Sequence, residues 1–270
     1  MLFKVPCCFY QQEQKETDGM KTLIKTTALL SALIIAPIGD ATASRERQNE
    51  AENYQSTTVR IEEGNVIDLI SGIRKAGTEE LQRNYFSQVG PLAGKHGFRF
   101  NGTFVIEGPP TKGNYEPDFF GISSWPGVNN RNQFRSDAQE GDYDYISERR
   151  KIWSVFKLTE YGSRNEPLEF TLRSDKVYVI TTYWIDDLDA FRAAKRNASV
   201  GMQAAGGKFT ALITGRGHSK SGYLYEPDVV SITEWSSREE FERYNQSLDH
   251  SVSDAGVGNV YQWVTRFLFR

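Results

Sequence analysis

A chain that resembles itself at one fixed distance must fold as two copies of one unit, and this 270-residue sequence does so at an offset of 110. Tyr115-Glu116-Pro117-Asp118 returns as Tyr225-Glu226-Pro227-Asp228, and Ile122 and Trp125 return as Ile232 and Trp235. The same register sets Trp153 against Trp263, Gly97 against Gly207, Leu81 against Phe191, and Ile67–Ile70 against Val177–Ile180. A four-residue identity followed by aligned tryptophans is hard to obtain without duplication.

Each copy reads in one order. In the second, Lys176–Trp184 is rich in β-branched and aromatic residues and predicts a strand. Asp186 or Asp187 then caps a helix whose apolar side is Leu188, Phe191, Ala194, Ala198 and Met202, ended by Gly206-Gly207. Strands are expected at Phe209–Thr214 and Asp228–Trp235, a capping box opens a short helix at Ser237-Arg238-Glu239-Glu240, and Val260–Phe269 closes the copy as a strand. The first copy gives strands near Ile67–Ile73, Phe98–Ile106, Asp118–Trp125 and Ile152–Leu158, with a helix near Thr78–Lys95 capped by Thr78. The order β-α-β-β-α-β is the ferredoxin-like motif, so the fold class is α+β with two tandem ferredoxin-like repeats. One repeat alone leaves a sheet face bare of helix, and a second identical sheet covers it at least cost. The expected segments are a flexible leader at 44–65, a first repeat at 66–160, a linker at 161–175 and a second repeat at 176–270.

Lys21 and Lys25 precede an apolar run from Ala28 to Ile38 that ends in Ala41-Thr42-Ala43, the pattern of a secretory signal cleaved after Ala43. The run is about half of the ~20 residues that span a bilayer. Met20 opens this signal better than Met1. Cys7 and Cys8 both precede it, so the mature chain must stand on packing without disulfides. Export to the periplasm or medium is the expectation, with no membrane anchor after cleavage. Removing residues 1–43 leaves 28 basic and 31 acidic residues, the same net charge of −3, which argues against nucleic acid as a partner.

The second copy, from Val177 through Gly206-Gly207-Lys208-Phe209 to Tyr225-Glu226-Pro227-Asp228-Val229-Val230-Ser231-Ile232-Thr233-Glu234-Trp235 and Phe241-x-x-Tyr244, resembles the domain-of-unknown-function family numbered 1330. That family lies in the dimeric α+β barrel superfamily, which includes cofactor-free monooxygenases, haem-degrading monooxygenases and muconolactone-isomerase-like proteins. The resemblance implies an intramolecular dimeric α+β barrel, a monomer with pseudo-twofold symmetry or a higher assembly of it. It also implies a small apolar or aromatic ligand. The first copy departs from the pattern: His96-Gly97 stands for Gly206-Gly207, and Ser123-Ser124-Trp125 for Thr233-Glu234-Trp235, so Glu234 has no acidic counterpart.

The residue types exclude more chemistry than they suggest. His96, His218 and His250 lack metal-ligand spacing, and no metal or cofactor is expected; a haem protein would use His96 or His250 as axial ligand. His96, at a helix end, otherwise serves the helix dipole. Gly215–Gly222 has the residues of a phosphate cradle but joins two strands, as Gly108–Gly113 does in the first copy. Glu116, Asp118, Glu226 and Asp228 either hold turn amides or stand at a cavity rim as bases. Trp125, Trp153, Trp184, Trp235, Trp263 and Tyr244 either fill the core or wall a pocket between sheet and helices. An enzyme built on them, monooxygenase- or isomerase-like, would draw on Glu226, Glu234 or Tyr225. The alternatives are a non-catalytic periplasmic ligand-binding protein and a structural or interaction module.

Overall fold

The computed structural model describes residues 54–162, 165–215, 217–220 and 223–269. The expected signal, its cleavage point, Met20 and both cysteines lie outside them. The first repeat runs β2 (Val66–Arg74), α1 (Glu79–Lys95), β3 (Arg99–Ile106), β4 (Phe119–Trp125), α2 (Val128–Glu140), α3 (Tyr145–Ile152) and β5 (Trp153–Tyr161). The second runs β7 (Val177–Ile185), α4 (Leu188–Ala204), β8 (Lys208–Thr214), β9 (His218–Ser219), β10 (Val229–Trp235), α5 (Arg238–Ser247), α6 (His250–Ser253) and β11 (Val257–Leu268). The repeats form antiparallel sheets of one order, β5-β2-β4-β3 and β11-β7-β10-β8.

The two sheets join inside the chain. Strand β11 pairs with β3, and β9, which follows β8 after a few residues, pairs with β5 across Thr159–Ser219 and Glu160–His218. The ends of the nine-strand order therefore meet, and the sheet curls into a barrel. Its interior is one apolar cluster drawn from both repeats, including Ile67, Leu69, Phe104, Phe120 and Ile122 from the first and Tyr178, Ile180, Ile213, Ile232 and Trp263 from the second. Each sheet thus buries its helix-free face on its twin, and the fold is a dimeric α+β barrel made by one polypeptide. Helices cover the outer faces, through Tyr85, Trp125, Phe134 and Trp153 in one repeat and Val179, Met202, Trp235 and Phe241 in the other.

The leader and linker are less loose than their composition suggests. Ser56–Ile61 forms β1 and Leu168–Arg173 forms β6, which pair with each other from Ser56–Arg173 to Ile61–Leu168. Alternate residues of this ribbon turn inward: Val59, Ile61, Phe170 and Leu172 join the barrel interior, and Leu168 packs against it.

The 110-residue register holds at β4 and β10 but slips elsewhere. Leu69 lies opposite Ile122 and Thr159, whereas Ile180 lies opposite Ile232 and Trp263. The first strands are therefore related by 111 residues and the last by 104. The cause of the second slip is a connection six residues shorter between β10 and β11 (236–256) than between β4 and β5 (126–152), where both helices are longer. Trp153 and Trp263 are consequently not equivalent: Trp153 faces the helices, and Trp263 points inward where the first repeat has Thr159. The glycines that turn the chain out of α1 and α4 with left-handed backbone are Gly97 (φ 80°) and Gly206 (φ 88°), not Gly207. Leu81 is exposed and Phe191 is buried, so that expected match also fails.

Capping follows the sequence in the second repeat. Asp187 accepts the amides of Asp189 and Ala190, and the Ser237 hydroxyl accepts that of Glu240. Thr78 differs: its hydroxyl donates to the carbonyls of Lys75 and Ile152, tying the start of α1 to the end of α3.

Candidate functional site

The duplicated Tyr-Glu-Pro-Asp segments are positioned identically, by the same four bonds. The Asp118 amide donates to Gly72 O and its carboxylate accepts from Arg74 N; the Asp228 amide donates to Tyr183 O and its carboxylate accepts from Ile185 N, the last two at 2.8 Å each. Each aspartate thereby secures the end of its repeat's first strand. The Tyr115 hydroxyl bonds Ser71 Oγ at 3.1 Å, and the Tyr225 hydroxyl bonds Thr182 Oγ1 at 3.0 Å. Carbonyl groups are met across the repeats: Trp263 Nε1 donates to Tyr115 O at 2.8 Å, and Thr159 Oγ1 donates to Tyr225 O at 2.6 Å. The motif brings two tyrosine rings together, 5.8 Å apart between centroids, near the pseudo-twofold axis.

Above both rings sits one cation. Lys157 Nζ lies 3.7 Å from the Tyr115 centroid and 4.4 Å from that of Tyr225, a cation–π contact from two sides. Lys157 occupies an inward position of β5 in step with Val155, Thr159 and Tyr161. Burial lowers its pKa from the ordinary lysine value. Burial also raises the pKa of Tyr115 and Tyr225, so both phenols stay neutral. The residue in the second repeat equivalent to Lys157 is Tyr261, two places before Trp263. Pseudo-symmetry is therefore broken here, cation against phenol.

A cleft of about 510 Å³ opens at this end of the interior, lined by Lys157, Trp184, Tyr225, Glu226, Asp228 and Tyr261, with Ile185, Leu224 and Asn259 completing it. One side of it is aromatic. Trp184 meets Tyr225 and Tyr261 edge-on at 5.2 and 5.4 Å, and the rings of Tyr225 and Tyr261 lie parallel, 2° apart in plane. Tyr261 is set in place by Gly113, whose φ of 81° and missing side chain admit the ring; a Cβ there would lie 1.7 Å from it. The acids of the cleft are occupied, since Asp228 holds Ile185 N and Glu226 accepts Ser219 N at 2.9 Å.

Trp184, Tyr225, Glu226 and Asp228 are thus the sequence candidates that the structure brings together. The others lie elsewhere. Glu116 is exposed, and Asp118 holds β2. Glu234 is buried and accepts from the Tyr178 hydroxyl at 3.4 Å. Trp125, Trp153, Trp235 and Tyr244 fill the layers between sheet and helices, the first of the two alternatives for them; Tyr244 donates to Ala198 O, and burial pushes the pKa of its hydroxyl up to about 12. Trp263 lies under the aromatic cluster without lining the cleft. His96 caps α1 with its ring 3.0 Å from Asp137, and His250 sits on α6 near Asp254; neither lines the cleft, so these histidines do not fit a haem there.

Lys157 and Tyr261 escape a motif search. The available signal is strand alternation, which in Val155-Phe156-Lys157-Leu158-Thr159 puts a charge on an inward step.

The two loops that resemble phosphate cradles act as seams. Thr111 N and Lys112 N both reach Gln262 O on β11, and Lys220 N donates to Leu158 O on β5, so each repeat's loop crosses to the other repeat's last strand. Lys112 pairs with Asp254, and Lys220 with Glu160 at 3.5 Å.

No family model matches the chain, and none of the curated proteins does. Among solved structures it is similar to an anthrone oxidase-like protein, with 13% identity and a TM-score of 0.47 over 78% of this chain and 94% of the other. It is likewise similar to a candidate monooxygenase from Lactobacillus acidophilus NCFM (12%, TM-score 0.41, 76% and 94% covered) and to a mutant chlorite dismutase from Candidatus Nitrospira defluvii (13%, TM-score 0.41, 76% and 92%). The fold rests on the strand order and register described above.

Proposed function

We propose that this is an exported protein that binds a small aromatic molecule in the cleft at the barrel end, without metal or nucleotide. The observation that carries this reading is the wall of Trp184, Tyr225 and Tyr261 around about 510 Å³, within the usual range for small-molecule pockets. Trp184 and Tyr261, both half-buried, present ring surface to the cleft that suits another ring. Glu226 and Asp228 each hold a backbone amide through one oxygen, a structural use that supports binding over acid–base chemistry. Export is supported by the apolar run behind Lys21 and Lys25, and membership of the family numbered 1330 by the residues of the second repeat.

Titration calorimetry with 2-naphthamide, a flat uncharged probe, tests the reading. One saturable site is expected, weakened about two- to tenfold in Trp184→Ala and Tyr261→Ala, since stacked aromatic contacts contribute about 0.5–1.5 kcal/mol. Absence of saturable heat, or unchanged affinity in both variants, would refute it.

A further inference from the structure

The half-buried lysines of this molecule follow a rule with one exception. Lys112 lies against Asp254, Lys195 lies 3.8 Å from the same carboxylate, and Lys220 lies 3.5 Å from Glu160. Lys157 is also withdrawn from water, yet among the described residues it makes no ion pair. The carboxylates that share its cleft, Glu226 and Asp228, are turned to backbone amides rather than to Nζ. The Tyr115 and Tyr225 hydroxyls are engaged by Ser71 and Thr182 and kept neutral by burial. A desolvated ammonium that is compensated only by ring faces gains most from an anion brought to it.

We infer that Lys157 is the recognition residue for the acidic group of an aromatic carboxylate, whose ring lies against Trp184 and Tyr261 in the same cleft. This rests on the binding reading above and narrows it to one ligand class. The division of labour follows the duplication: the second repeat supplies the aromatic wall, and the first sends in the charge from β5. The carboxylate replaces water on Nζ and remains within reach of a cation that the two tyrosine faces hold in place. No bond is made or broken.

The test compares 2-naphthoate with 2-naphthamide, which share size and ring, by calorimetry on the unmodified protein and on Lys157→Met. The unmodified protein should bind the acid about tenfold or more tightly than the amide, a charge-assisted bond set against a neutral one. In Lys157→Met the preference for the acid over the amide should vanish. Equal affinity for acid and amide in the unmodified protein, or a preference that survives Lys157→Met, overturns the assignment and leaves the aromatic cleft standing. Binding of neither probe overturns both.

Discussion

Arg131→Ala is expected to lower the unfolding free energy by about 3–5 kcal/mol, the cost of leaving buried charge unpaired. Arg131, on α2, is 3% exposed, between Asp68 at 2% and Glu160 at 6%. Its Nε lies 2.9 Å from Asp68 Oδ1 and 2.9 Å from Glu160 Oε2, but the bond is made to Asp68 alone, and Arg131 Nη1 and Glu160 Oε2 are left without one. Trp125 Nε1 donates to Asp68 Oδ2 at 2.8 Å, and burial still raises the Asp68 pKa. The duplication supplies a control that few proteins offer. Asp68 pairs with Ser123 and Glu160, as Val179 pairs with Thr233 and Val264, and Arg131 and Phe241 are each the fourth residue of their helix. The second repeat thus fills the same place with Val179, Phe241 and Val264, and Trp235 Nε1 turns to Thr233 Oγ1. Transplanting that set as Asp68→Val, Ser123→Thr, Arg131→Phe and Glu160→Val should leave stability unchanged or raise it by about 1–4 kcal/mol. Urea unfolding measures both variants. A loss below about 1 kcal/mol in Arg131→Ala, or a fourfold variant that does not fold, would contradict this view of the triad.

Trp263→Ala should cost a similar amount, about 3–5 kcal/mol, with unfolding still a single transition. Trp263 is fully buried, and it reaches across to the other repeat, where it meets the Phe120 ring at 4.7 Å and the Tyr115 carbonyl at 2.8 Å. Removing it opens a cavity in the interior both sheets share and strands a buried acceptor. Two separate transitions in urea, or a loss under about 1 kcal/mol, would mean that the sheets do not depend on each other there.

The duplicated motif and the strand and helix periodicities made the fold readable from sequence. Tyr115-Glu116-Pro117-Asp118 and its twin pin the one pair of strands, β4 and β10, that keeps the common register. What escaped was whatever a changed loop length controls. Six fewer residues between β10 and β11 set Trp263 in the place of Thr159 rather than Trp153, and the register irregularity between Trp153 and Val155 on β5 turns Trp153 to the other face. Strands β1 and β6 were hidden by polar composition, because few of their residues, Val59, Ile61, Leu168, Phe170 and Leu172, pack on the interior. α2 escaped for a related reason, having few buried residues, one of them charged. At the site, Trp184, Tyr225, Glu226 and Asp228 were legible from the repeat. Lys157 was not, since its importance depends on two rings more than thirty residues away in sequence.

That two repeats of one chain share a continuous sheet is tested most directly by a cross-link at their junction. Val105 on β3 lies opposite Arg266 on β11, both side chains are solvent-exposed, and the only cysteines of the sequence precede the expected cleavage point. Facing residues of an antiparallel pair stand at a separation a disulfide can span. In the chain from Ser44 onward, oxidised Val105→Cys/Arg266→Cys should run as a monomer with no free thiol and a raised melting temperature. Free thiols that persist under oxidation, or a cross-link found only between two molecules, would contradict the fused barrel.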